Sequence, residues 1–137
     1  MHSYRIPAVF AFSSTHDFKQ SEQTVASISQ GGLGLPDRDY YTKEDAKSKE
    51  IRIRYVQHVA RMLQVYGDDA ANAQSEARNI MDFEAKLANA SMTKAELRDP
   101  VATYHKITLD ELQALSPTFA GPEFFGTSRL PHWKTVM

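Results

Sequence analysis

The chain contains no cysteine, which excludes disulfide staples and thiol catalysis while fitting a reducing or an oxidising compartment equally well. Long apolar runs are missing too. None approaches the roughly 20 residues that a transmembrane helix needs, so no membrane contact of that kind lies within this segment. The opening MHSYRIPAVF has neither the basic region, the apolar run nor the small-residue cleavage site of a signal peptide. Charge of one sign is also absent: Lys+Arg 16 against Asp+Glu 17 leaves a net charge of -1. Nothing global draws the protein to nucleic acid or to an anionic membrane, and no nucleic-acid partner is expected.

The catalytic signatures that a sequence displays openly are missing as well. Five histidines stand at His2, His16, His58, His105 and His132, and no two are three or four residues apart. The helical zinc pair H-E-x-x-H is therefore absent, because it needs two imidazoles one turn apart with a glutamate between them. No serine sits in G-x-S-x-G. The glycine-rich stretch Gly31 to Tyr41, GGLGLPDRDYY, fails the phosphate-loop test. It lacks the Gly-Lys-Ser/Thr ending, has Asp37 where a dinucleotide fingerprint wants its third glycine, and its aspartates repel phosphate.

What remains is a soluble globular composition, 42% hydrophobic and 24% charged over 137 residues, enough for one modest domain with its own core. GGLGLPDRDYY reads as a steering turn. Glycine permits backbone angles that other residues resist, and Pro36 holds Leu35 extended. Before it, PAVFAF from Pro7 and QTVASISQ from Gln23 to Gln30 read as strands joined by a polar loop, Ser13 to Glu22. Such a hairpin needs support, expected from helices. After it, Thr42 is expected to cap a long amphipathic helix with Tyr55, Val59, Met62 and Tyr66 as its apolar stripe, ending at Gly67. Asp68 and Asp69 start a second helix, whose apolar face is Ala73, Ala77, Ile80, Phe83 and Leu87. Capping boxes at Thr93/Glu96 and Thr108/Glu111 open two shorter helices. Residues 118–137, with Phe119, Phe124, Phe125 and Trp133, carry no assignable pattern. The fold class expected is mainly α: an antiparallel helical hairpin or small bundle with a short two-stranded β-hairpin near the N-terminus, in a single unit over residues 1–137.

Two surface features offer weak functional readings. Lys47, Arg54, His58 and Arg61 share a helix face, but Glu50 lies one turn before Arg54, as on an ordinary solvated face. Asp82, Glu84, Asp110 and Glu111 read as helix-surface acids rather than an acid pair. The alternative function is a free-standing helical interaction module that uses the basic helix face or the aromatic tail.

Four stretches in order go further: QGGLGLPDRDYY, IRIRYVQHVARML, IMDFEAKLANASM and ELRDPVATYHKITLDEL. Together they resemble the amino-terminal region of the neprilysin family of zinc metallopeptidases, over about Ala8 to Leu115. The resemblance implies a parent peptidase acting on peptides, with zinc in a catalytic region outside this chain. It also implies that this segment is a non-catalytic, lid-side fragment that binds no metal itself and contacts the catalytic domain of the same polypeptide. Arg38, Asp39 and Tyr40, with Arg98 and Asp99 in the second R-D, are the residues expected at such an interface. The expected location of the parent is extracytoplasmic, the cytoplasm being the alternative. Animal relatives are disulfide-rich, so a chain without cysteine fits a bacterial member.

Overall fold

The two long helices of this chain begin at carboxylates. In the computed structural model, which describes residues 8–118 and 135–137, Asp45 caps helix α2 (Ala46–Tyr66) and Asp69 caps helix α3 (Ala70–Ala90). Asp45 accepts from the Ser48 amide at 3.0 Å and the Ser48 hydroxyl at 2.7 Å, and Asp69 accepts from Ala71 and Asn72, both at 3.0 Å. These bonds satisfy amides that have no partner inside the helix. Thr42, the cap expected from the sequence, instead closes a one-turn helix, α1 (Asp39–Thr42). Its hydroxyl is committed to the Arg38 carbonyl at 3.2 Å.

At 21 residues each, α2 and α3 run about 30 Å. Gly67 ends α2 as expected, and the short link folds the pair into a helical hairpin within a compact unit, Gly32–Lys94. Small side chains dominate what the pair buries: Ser48 and Ala60 on α2, and Ala73, Ala77 and Ala88 on α3. The expected stripe holds for the half-buried Tyr55 and Val59 but not beyond. Met62 and Tyr66 are 55% and 90% exposed, and Phe83 is 49% exposed. The start of α3, next in the chain after that end of α2, carries Ala70, Ala71 and Ala73, whose single methyl groups offer little cover to Met62 and Tyr66.

The second unit, Met1–Gly31 with Ala95–Met137, is built on a sheet. Strand β1 (Phe10–His16) pairs antiparallel with β2 (Thr24–Gln30), from Phe10↔Gln30 to His16↔Thr24. Residues Ser13 to His16, expected in the loop, belong to β1 because each has a partner across the ladder; Pro7 lies outside the described residues. The hairpin is extended by two short strands that no local pattern announces, β3 (Ile107–Thr108) and β4 (Thr135–Val136), in the order β1-β2-β4-β3. β4 runs parallel to β2, with Met137 donating to the Ala26 carbonyl at 2.9 Å and receiving Ile28 at 2.8 Å. Ala26 and Val136 are buried at this junction, under Phe12, Ile28 and, from helix α4 (Leu109–Leu115), Leu109 and Leu112. The Thr108–Glu111 capping box that opens α4 is present in both directions. Where Thr93 was expected to start a helix there is a single 3-10 turn, Glu96–Arg98, preceded by Ala95 without a side-chain cap. Pro100 leaves no room for a longer one. Phe119, Phe124, Phe125 and Trp133 lie outside the described residues. Among the described residues no helix is long and apolar enough to cross a membrane.

One ion pair ties this unit together across 89 residues of sequence. Asp17, 1% exposed, receives Lys106 Nζ at 2.6 Å, the Tyr104 hydroxyl at 3.1 Å and the Lys19 amide at 2.8 Å. The Lys106 hydrogen bond, then that of the Lys19 amide, holds the Asp17 carboxyl down at about 2. Its folded value thus lies below the ordinary aspartate value of about 3.9. The stability it contributes is present above about pH 4 and is lost as pH falls towards 2. Thermal melts from pH 6 to pH 2 should show wild type losing stability across that window, while Asp17→Asn starts lower and falls less steeply.

Candidate functional site

The steering turn is held by a buried carboxylate on α3. Gly32 has φ 78, a left-handed angle that favours glycine, and the chain then runs past α3. There Glu84, only 8% exposed, accepts three hydrogen bonds. The Gly34 amide donates to Oε2 at 3.1 Å, the Tyr41 hydroxyl to Oε2 at 2.5 Å and the Tyr55 hydroxyl to Oε1 at 2.8 Å. The Tyr41 oxygen in turn accepts from the Leu35 amide at 2.8 Å. The glycine turn, α1, α2 and α3 thereby meet on one side chain.

Burial first, and then the hydrogen bonds to Glu84, push the Tyr41 and Tyr55 phenols well above the ordinary tyrosine range. They are donors, and the geometry assigns them no acid–base work at neutral pH. Gly34 is required by space. A Cβ there would lie 2.0 Å from the Tyr55 hydroxyl oxygen and 2.7 Å from the ring carbon that bears it, and moving the ring would break its bond to Glu84.

Further ties run down the same face. Arg38 Nε donates to the Ala88 carbonyl at 3.1 Å, one turn after Glu84. Asp37, with 14% of its side chain exposed, pairs with Lys94 at 2.6 Å, and that hydrogen bond holds its carboxyl below the ordinary aspartate value. From α2, Arg52 donates to the carbonyls of Tyr40, Tyr41 and Lys43 at 2.9, 3.2 and 2.8 Å, closing the end of α1 whose carbonyls lack helical partners.

The residues singled out from sequence are thus dispersed. Arg38 reaches α3, while Asp39 forms an exposed i,i+4 pair with Lys43 at 2.8 Å and Tyr40 offers only its carbonyl to Arg52. In the other unit, exposed Arg98 lies in the 3-10 turn, and Asp99 caps the next turn through the amides of Val101 at 2.9 Å and Ala102 at 3.3 Å. Sequence reading missed the centre of the network. Glu84 had been grouped with helix-surface acids, and its burial corrects that: two tyrosines and an amide replace the water it loses. The available signal was its position among Ala77, Ile80, Leu87 and Ala88, on the face of α3 that turns inward. The basic face reads as a solvated one, with Glu50 and Arg54 paired at 2.6 Å and His58 and Arg61 exposed.

The donor set described does not fit zinc. Among the described residues no three His, Asp or Glu side chains gather as a metal site. His16, His58 and His105 stand on separate segments, His2 and His132 lie outside the described residues, and the Glu84 oxygens are already engaged.

Known proteins match this chain over nearly its whole length. The amino-terminal profile of peptidase family M13 covers residues 1–136. Endothelin-converting enzyme 1 of Homo sapiens is 33% identical over 130 residues, 93% of this chain and 17% of that protein. Neprilysin-3 of Drosophila melanogaster is 29% identical over 114 residues, 83% of this chain and 14% of that protein. Among solved structures, the zinc metalloprotease Zmp1 of Mycobacterium tuberculosis in complex with inhibitor superposes with a TM-score of 0.70 at 31% identity, covering 77% of this chain and 16% of that one. The chain spans about one-sixth of the length of these relatives.

Three single variants and one combination test the network. Glu84→Ala leaves two phenols and an amide without their acceptor inside the unit, and should cost about 3 kcal/mol or more in urea unfolding. Gly34→Ala and Tyr55→Phe should each destabilise by about 1–3 kcal/mol. Combined, they should cost less than their sum, because both break the same Tyr55–Glu84 bond.

Proposed function

The chain belongs to peptidase family M13, and from that premise we propose that it is the amino-terminal, non-catalytic part of a zinc-dependent peptidase of the neprilysin type. In this reading it forms lid-side wall and domain-contact structure around a peptide chamber, against the catalytic domain of the same polypeptide. Peptides are the substrates of the whole protein, and its location is extracytoplasmic. The observation that carries the proposal is the family match across residues 1–136. The Glu84 network supports an architectural role for the most distinctive stretch of sequence. GGLGLPDRDYY uses the Gly34 amide, the Tyr41 hydroxyl and the charges of Arg38 and Asp37 to bind helix α3 and its flank.

Zinc, when bound to the whole protein, supplies Lewis-acid activation of water for peptide hydrolysis. The described residues of this chain provide no step of that chemistry. Their part is to hold helices in fixed register so that a cavity wall keeps its shape. Arg38, Asp39, Tyr40, Arg98 and Asp99 remain the residues proposed for contact with the catalytic domain.

The test uses the chain and its complete gene product side by side. Peptide hydrolysis should be present in the complete protein, abolished by a zinc chelator and restored by zinc, and absent from the 137-residue chain at any zinc concentration. Stoichiometric, tight zinc binding to the short chain in calorimetry would overturn the non-catalytic assignment. A native stop codon directly after Met137 would replace it with the helical interaction module.

A further inference from the structure

The helical hairpin of the unit Gly32–Lys94 is too thin to be a finished layer. Among its apolar residues, Tyr41 is the only buried large side chain, and the others are Ala60, Ala73, Ala77 and Ala88. Helical layers become stable by burying an apolar stripe against a further element. On one face of the hairpin, a groove of about 690 Å³ opens between α2 and α3, its floor formed by Ile53, Val56, Met81 and Ala85. Ile53 is 60% exposed there, although it sits at the centre of the helix pair rather than at a fraying end.

We propose that this groove is the seat of an amphipathic helix supplied by the same polypeptide outside the 137 residues, completing a three-helix layer. The inference rests on the reading of this chain as part of a longer peptidase. Three observations carry it. The chain spans only 17% of the length of a relative such as endothelin-converting enzyme 1, so most of the family's polypeptide is available to supply the element. The groove has the apolar floor that the i, i+3, i+4, i+7 anchors of an incoming helix require. Its α3 rim carries Arg78 and Asp82 one turn apart, and neither is ion-paired with another described residue. The matching helix therefore carries an acidic and a basic residue one turn apart beside its apolar stripe.

Absence of native cysteine from these residues makes the test direct. Ile53→Cys, and separately Met81→Cys in case the first variant fails to fold, is introduced into the 137-residue chain and into the complete gene product. Folding is checked by thermal melt. Maleimide labelling is then read at that position by peptide mapping, and should be about tenfold or more slower in the complete protein, since access controls thiol reactivity. A photoreactive maleimide attached at position 53 should cross-link within the same molecule to an apolar helical segment outside the 137 residues. Equal labelling in both forms overturns the proposal. So does a cross-link to a second copy or to a segment within the 137 residues. Chelator-sensitive hydrolysis by the same complete variant is measured in parallel. An active protein with an open groove fails only this inference, whereas an inactive one fails the peptidase reading.

Discussion

A carboxylate withdrawn from water must find donors, and in this protein that requirement organises a whole unit. Glu84 on α3 is satisfied by the Gly34 amide, the Tyr41 hydroxyl and the Tyr55 hydroxyl. Each donor comes from a different piece of the chain: the glycine turn, the single turn of α1 and the long helix α2. Taking one away leaves a buried ion short of hydrogen bonds, a larger penalty than the loss of an ordinary surface contact. The composition of GGLGLPDRDYY follows from that demand. Gly34 is small because the Tyr55 hydroxyl occupies the space a Cβ would take, and α1 exists to bring Tyr41 back over the turn it follows.

The remaining ties extend the same geometry. Arg38 closes on the Ala88 carbonyl and Asp37 on Lys94, so the turn is fastened along the C-terminal half of α3 and just beyond it. Arg52 then anchors α1 to α2 through three carbonyls. The sheet unit has a separate anchor of the same kind, the buried Asp17 with Lys106 and Tyr104. In both units a buried acid joins segments far apart in sequence, while the apolar cores among the described residues are small.

Much of the local structure was legible. The spacing of apolar residues located α2 and α3, Gly67 marked their junction, and the Thr108–Glu111 box opened α4, because each of these signals acts within a turn or two of its own residue. The caps were less legible. Thr42 and Asp45 both suit the role, and the choice fell to Asp45 once α1 had engaged Thr42. Met62 and Tyr66 at the outer end of one expected stripe, and Phe83 within the other, misled because periodicity reports which residues share a face, not whether a neighbour is large enough to cover them.

By itself the sequence determined the mainly helical class, the hairpin at the start, the junction of the long helices at Gly67 and, through its resemblance, the family. Only the tertiary structure decided that Glu84 is the centre rather than a surface acid, that Asp17 is buried, and that two-residue strands at Ile107 and Thr135 complete the sheet. Helical and strand patterns are short-range, carried by side chains a few positions apart. The partners of Glu84 lie up to 50 residues away, those of Asp17 up to 89 residues away, and β4 reaches β2 across more than 100 residues. No local period records such meetings, because which distant donor a buried acid finds is settled only when the chain has folded around it.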